Sequence, residues 1–198
     1  VDLGGRRIIK KKKPKKSKKI TKKRAEYIKK NKIALYACHL PLDAHNKYGN
    51  NILLAKILRL QKIRKFGRYN KGPSIAYQGK LKKQTSIKNI ANILNKKLKP
   101  ECRLLPFGKK KIKTLAVCSG AGAELIEKAI KKNLDLYITG EIKYSTYNHS
   151  QDENMNMIVA GHYETETLGV KALMPLIKEK FNIKTIFIAN PIKKKNKI

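Results

Sequence analysis

The sequence predicts an α/β fold in which a largely parallel or mixed sheet is flanked by helices. Short apolar runs and amphipathic segments alternate through the C-terminal half, as strands and helices do in such folds. The chain has 198 residues, 41% of them apolar, which is enough for one domain with its own core. Cys38, Cys102 and Cys118 form no CxxC pair. We therefore expect small buried thiols in strands rather than a disulfide framework or a zinc ribbon.

The N-terminal segment is strongly basic and has no apolar face. Residues 10–19 are lysine except for Pro14 and Ser17. Such a segment has no apolar surface to bury, so we expect a disordered arm over residues 1–19 and the α/β domain over residues 20–198. Thr21 can cap a short helix that ends at Asn31.

The first apolar run, IALYAC at residues 33–38, predicts a strand buried on both faces. A loop with His39, Asp43 and His45 should follow it. Residues 50–60 then have the period of a helix, for which Asn50 or Asn51 is the expected cap.

The following segments alternate between the apolar patterns of strands and those of helices. SIAYQGKL, around Tyr77, resembles an exposed strand. Thr85 or Ser86 can cap a helix whose apolar stripe consists of Ile87, Ile90, Ala91, Leu94 and Leu98. The later predicted elements are strand 114–118, helix 123–132, strand 134–138, a helix near Tyr144, strand 157–160, a helix from about Thr165 and strand 184–189. Pro175 falls inside the last helix, where it predicts a kink or restart.

The charge is extreme, because 48 Lys and Arg face 13 Asp and Glu, for a net charge of +35. Such a field attracts RNA, DNA, nucleotides or anionic lipid in a salt-dependent way. A generally lysine-rich composition is the alternative explanation. No apolar run approaches the roughly 18 residues of a membrane span, so we expect a soluble, cytoplasmic protein without a membrane partner.

Two short segments place histidine beside carboxylate directly after predicted strands. His39 and Asp43 follow one strand, and His162 and Glu166 follow another. Ligands of open α/β sheets bind at the carboxyl ends of the strands. Imidazole and carboxylate together suit zinc, iron, manganese or nickel. The pattern predicts a divalent metal site, although one His-x-x-x-Glu spacing also occurs at ordinary capped helix starts.

Two further strand ends offer polar groups. The loop SGAGAE, residues 119–124, can either cradle a phosphate or simply allow a tight turn. It lacks the third glycine of a dinucleotide fingerprint, since Leu125 takes that place. Glu141 follows another strand and can be a carboxylate beside the metal, a general base or a solvated turn residue.

Four motifs occur in one order along the chain: IALYACHLPLDAHNKYGNN (residues 33–51), VCSGAGA (117–123), DLYITGE (135–141) and AGHYETE (160–166). In this order they resemble the NGG-interacting-factor-3-like family, also called GTP cyclohydrolase 1 type 2 homologues. The resemblance extends from about residue 20 to residue 191. Its most specific parts are HLPLDAH and GHYxTE.

The resemblance implies an α/β fold with a dinuclear metal centre, a toroidal homohexamer whose metals face the internal cavity, and a poorly defined enzymatic activity. By position, Asp43 and His162 match metal ligands, and Glu166 matches a carboxylate that can bridge the ions. His39 matches a histidine at the site, and Glu141 is implied only to lie near it.

The family's other ligands come from an adjacent His-His pair upstream of HLPLDAH, and this sequence contains no such pair. Our interpretation is a truncated or frame-shifted reading that lacks the N-terminal His-His segment, with one ion or none in place of two.

The expected function is that of a metal-dependent hydrolase acting on a nucleotide-like substrate, with His39 or Glu141 moving the proton. The alternative is a polyanion-binding or nucleic-acid-binding ring or scaffold without catalysis. A degenerate family member without a function of its own is a third interpretation.

Overall fold

The computed structural model describes residues 18–68, 72–99 and 101–191. Six strands lie within these ranges, and they form one sheet: β1 Gln61–Arg68, β2 Ser74–Thr85, β3 Arg103–Leu105, β4 Ile112–Cys118, β5 Leu136–Thr139 and β6 Asn156–Val159. Their order in space is β1-β2-β4-β5-β6-β3. The chain divides after Ala37, and the second unit contains the whole sheet and every candidate site residue.

The centre of the sheet is parallel and its flanks are antiparallel. β4 pairs with β5 and β5 with β6 in parallel, whereas β1, β2 and β3 are attached by antiparallel pairing. The predicted mixed α/β fold is confirmed. Because β4, β5 and β6 run in the same direction, the loops that follow them emerge at one edge of the sheet.

The described helices are α1 Lys18–Lys30, α2 Leu40–Ala44, α3 Asn50–Ile57, α4 Ile87–Leu98, α5 Ile126–Lys131, α6 Tyr144–Asp152 and α7 His162–Phe181. A 3-10 turn, Gly122–Leu125, leads into α5. One apolar cluster joins α3 and α4 to the sheet through Leu54, Ile90 and Leu115. A second cluster includes Ile126 and Tyr137. Both faces of β5 are therefore buried, which explains its unbroken apolar run.

Helix α4 follows its predicted pattern closely. Ser86 is the N-cap, and its Oγ accepts a hydrogen bond of 3.2 Å from Asn89 N. Ile90, Ala91 and Leu94 are buried, as the predicted stripe requires. Local signals suffice here because both the cap and the stripe lie within the same few turns.

Two predicted strands are wrong, namely residues 33–38 and 184–189. Both segments are irregular, and no strand of the described chain pairs with them. Leu35 and Ile188 are exposed by 76% and 83%. An apolar run becomes a strand only when a neighbouring backbone satisfies its N–H and C=O groups, and composition does not supply that neighbour.

Other expectations fail locally. The loop after residue 38 contains the short helix α2. Its second residue is Pro41, and proline is favoured in the first turn of a helix. β2 is not exposed, because it lies between β1 and β4 and buries Tyr77. α7 does not restart at Pro175, because the helix continues through this exposed residue, where water can satisfy the carbonyl that loses its helical donor. The alternative, a kink, stays a prediction. β1 and β3 were not predicted.

Residues 1–17 of the predicted arm lie outside the described residues, and Lys18 and Lys19 belong to α1. All three cysteines are free, but only Cys118 is a buried strand residue as predicted, and Cys38 and Cys102 lie outside strands. No helix in the described ranges is both long and apolar enough to cross a membrane.

Candidate metal centre

Four side chains meet beside the carboxyl ends of the parallel strands. We call them the candidate metal centre: His39, Asp43, His162 and Glu166. His39 and Asp43 are separated by one turn at α2, and His162 and Glu166 by the first turn of α7. Residues four apart lie on the same side of a helix, so the two side chains of each pair project from the same face. The fold brings the two pairs together.

One ligand atom each from His39, Asp43 and Glu166 lies within 4.8 Å of the other two. Nε2 of His39 is 3.8 Å from Oδ2 of Asp43, too far for a hydrogen bond. Ligands that share a zinc-sized ion are each about 2 Å from it and so are separated by roughly 3 to 4 Å. The 3.8 Å between His39 Nε2 and Asp43 Oδ2 therefore suits two ligands of one ion better than a direct hydrogen bond.

His162 is held by carboxylates on both ring nitrogens. Nδ1 lies 2.9 Å from Oε2 of Glu141, and Nε2 lies 3.2 Å from Oε2 of Glu166. Burial lowers the pKa of His162, but the hydrogen bond to Glu141 and the charges of both carboxylates outweigh it, so the pKa is raised above 6.5. In metal-binding histidines, a carboxylate often binds the ring nitrogen that does not contact the metal and so orients the ring. Glu141 is placed to do this at Nδ1 of His162.

Asp43 is anchored by two neighbours to which the sequence patterns assigned other roles. Its side chain is buried, and Oδ1 accepts hydrogen bonds from Asn50 Nδ2 at 2.7 Å and Ser119 Oγ at 3.4 Å. Asn50 Oδ1 in turn accepts from the Gly169 backbone N–H of α7 at 2.6 Å. With Oδ1 engaged in this way, Oδ2 is the oxygen that faces His39.

The two asparagines are therefore not helix caps, contrary to the prediction. Gly49 is the N-cap of α3. Asn51 donates to the Ile75 carbonyl at 2.8 Å and accepts from the Ser119 N–H at 2.6 Å, so it joins β2 to the loop after β4. A buried amide that satisfies two backbone groups stabilises the fold more than an exposed cap does. The sequence signal for this role is the adjacent pair of amides that ends the motif at residues 33–51.

Gly120 lies at the tight turn after β4. Its φ is 60°, and a Cβ added there would overlap the Glu166 carboxylate. Its carbonyl accepts from the N–H groups of Gly140 and Glu141, at 3.0 and 3.1 Å, and its N–H is bound to Thr165 Oγ1 at 3.0 Å. Because these polar groups are already paired, the turn interpretation of the SGAGAE loop is favoured over a phosphate cradle at Gly120.

A cavity of about 460 Å³ adjoins the centre. Its walls contain all four centre residues together with apolar and basic side chains. His45 lies elsewhere, with Nδ1 accepting from the N–H groups of Lys47 and Tyr48 in the turn after α2. The chain has only 13 acidic residues, yet Asp43 and Glu166 lie close together in this one cavity, and neither is paired with a lysine or arginine of the described residues. Such convergence in a basic protein favours a bound cation.

The fold and the site define a class of α/β proteins with a candidate metal centre at the carboxyl ends of parallel strands. A model of the Duf34/NIF3 (NGG1p interacting factor 3) family matches residues 7–193. The chain belongs to this family, as the four motifs indicated.

Curated relatives and solved structures agree with this assignment. The chain is 49% identical to a GTP cyclohydrolase 1 type 2 homolog of Pyrococcus horikoshii, over 80% of this chain and 63% of that protein. It is 46% identical to the Pyrococcus abyssi protein of the same name, over 85% of this chain and 67% of the relative. The crystal structure of TTHA1606 from Thermus thermophilus is similar with a TM-score of 0.75 and 32% identity, over 86% and 66% of the two chains. The chain thus spans about two thirds of the length of these proteins.

Proposed function

We propose that this chain binds a divalent metal ion at the candidate metal centre and acts as a metal-dependent hydrolase on a nucleotide-like substrate. The observation that supports metal binding is the convergence of His39, Asp43 and Glu166 within 4.8 Å. The name of the Pyrococcus relatives, which refers to a GTP cyclohydrolase, supports the substrate class.

The residues present fit one divalent ion. His39, Asp43 and Glu166 offer one imidazole and two carboxylates within 4.8 Å of one another, which zinc, iron and manganese accept. His162 would be a fourth donor if its Nε2, which lies 3.2 Å from Glu166, turned to the ion. Asn50 donates a hydrogen bond to Oδ1 of Asp43, and Glu141 contacts Nδ1 of His162, so each leaves the other polar atom of that side chain for the ion. Such outer contacts orient ligands and typically affect metal affinity by about 10- to 100-fold.

A bound divalent ion supplies Lewis-acid polarisation and lowers the pKa of a coordinated water towards neutrality. The protein supplies the remaining functions. Asp43 and Glu166 provide the negative charge, and Glu141 fixes the ring of His162. The His39 side chain is 75% exposed, and its Nε2 can serve either as a ligand of the ion or as the proton carrier for a substrate in the cavity, but not as both at once.

The first test is the metal content of purified protein carrying Asp43→Asn, determined by elemental analysis. This change removes one charge and keeps the shape of the side chain, so we expect the metal bound per chain to fall at least about tenfold. Asp152→Asn, an exposed change at the end of α6, is the matched control and should retain the metal. Turnover of nucleoside triphosphates should require the metal and stop with a chelator. Equal metal in Asp43→Asn and wild type would overturn the proposed centre.

A second candidate function is polyanion binding, which a surface of the sheet favours. Lys62, Arg64 and Lys80 line a polar depression of about 250 Å³ at the edge strand β1 and its neighbour β2. A bulge between Gln61 and Arg64 interrupts the β1 register there. Within the described chain, none of the three cations forms an ion pair. We call these three residues the sheet-edge cations.

A further inference from the structure

We propose that the cavity beside the candidate metal centre binds small molecules that combine an apolar or aromatic body with a phosphate group, and that Arg68 and Lys128 hold the phosphate. This inference deepens the proposed function, on which it rests for the role of the ligand as a substrate. The binding itself depends only on the walls of the cavity.

The cavity has the size and lining of a small-molecule site. Its volume of about 460 Å³ lies within the usual range of roughly 300 to 1,000 Å³ for such sites. Ile75, Cys118 and Leu125 form buried apolar parts of its wall. Burial raises the pKa of the Cys118 thiol to about 12, with smaller effects from Tyr137, Asp43 and Glu166. Cys118 is therefore an inert apolar wall rather than a nucleophile.

Two cations line the same cavity without a protein partner. Neither the Arg68 guanidinium nor the Lys128 ammonium group has a hydrogen bond or ion pair to any residue in the described ranges. Glu124 also lines the cavity, but Lys143 Nζ lies 3.2 Å from its carboxylate and compensates that charge. The positive charge of Arg68 and Lys128 is thus available to a ligand.

The backbone keeps the Arg68 end of β1 against the cavity wall. Gly67 has a φ of 62°, and a Cβ added there would lie 2.7 Å from Cδ1 of Leu125. Only glycine permits this approach, which brings the strand end carrying Arg68 next to the apolar wall. Lys128 lies in α5, three residues after Leu125 in the sequence. An arginine fork together with a lysine point charge is a common way to hold phosphate.

The experiment compares guanosine 5′-monophosphate with guanosine, by equilibrium dialysis against chelator-treated full-length protein. We expect the wild type to bind the phosphorylated compound about tenfold more tightly or better. The double variant Arg68→Gln/Lys128→Gln should lose this preference. Lys131→Gln/Lys132→Gln removes the same charge from exposed positions at the end of α5, and should keep it.

The outcomes separate this inference from the proposed function. A double variant that still prefers the phosphorylated compound would overturn the roles of Arg68 and Lys128. Equal loss in the control variant would also overturn them, because the preference would then reflect net charge. Since the assay contains no metal, failure of Asp43→Asn to lose metal affects only the proposed hydrolase. Metal retention without phosphate preference overturns only the cavity inference.

Discussion

Gly120 links the backbone of the turn after β4 directly to the candidate metal centre. Alanine at this position would strain a left-handed backbone and displace the Glu166 carboxylate. The displaced group is the end of a flexible side chain, so folding should survive. We expect Gly120→Ala to lower the free energy of unfolding by about 1 to 2 kcal/mol, and to weaken metal binding by about tenfold or more. Denaturant unfolding and titration calorimetry measure the two effects.

Asn133→Ala is the control for backbone strain, because Asn133 has a φ of 51° and lies outside the candidate centre. It should lower stability without changing metal affinity. If Gly120→Ala bound metal as tightly as wild type, Glu166 would not be a ligand.

At the scale of residues, sequence patterns indicate the candidate ligands more readily than the residues that support them. His39 and Asp43, like His162 and Glu166, are four residues apart, so a local pattern reveals that they share a side. The structure brings the two pairs together, while their role as ligands remains a prediction. Asn50 is a different case, because its contact with Gly169 joins residues 119 positions apart. No local period contains that information.

Among the elements, β4 and β5 are joined by the carboxylate of Asp135. Its Oδ2 accepts from the N–H groups of Lys113 and Thr114, at 3.0 and 2.9 Å, and Lys109 Nζ lies 3.0 Å from Oδ1. Burial raises the pKa of Asp135, but the hydrogen bonds from Thr114, Lys109 and Lys113 outweigh it and lower the pKa below 3.8. The ionised form is thus preferred in the folded chain.

This shift predicts how stability depends on pH. Because the folded pKa is lower than the unfolded pKa, the contribution of Asp135 is present above about pH 4 and is lost as the pH falls through the folded pKa. We expect wild type to exceed Asp135→Asn by about 1 to 3 kcal/mol in unfolding free energy at pH 7. That advantage should shrink between about pH 4 and pH 2. Chemical denaturation across this range measures it, and a constant advantage down to pH 2 would contradict the prediction.

Elements with complete local signals were predicted, and those that depend on distant partners were not. α4 has its own cap and stripe, so its prediction is confirmed. Residues 33–38 look like a buried strand, yet the described sheet contains no neighbour for them. β3 has only three residues and exists because it pairs with β6. Strand identity is thus partly a property of the partner.

At the scale of the molecule, the charges of the described residues are unevenly distributed. Three acidic side chains line the cavity beside the candidate metal centre together with two cations, whereas no acidic residue lines the depression that holds the sheet-edge cations. Net charge can be read from the sequence, but this separation of sites requires the fold. The homohexamer implied by the family resemblance is a separate proposal, which sedimentation of the full chain tests.

The separation of charge predicts where a polyanion binds. Binding of duplex DNA should weaken steeply with salt, because each neutralised phosphate contributes about 0.9 to the slope of log K against log salt. Replacing the sheet-edge cations by glutamine should reduce the magnitude of that slope by about 2 to 3. Lys88, Lys96 and Lys97 are exposed on α4, and their replacement by glutamine removes the same charge from another surface. If both triple variants changed the slope equally, total charge alone would explain binding. A change confined to the first variant would locate the polyanion at β1 and β2.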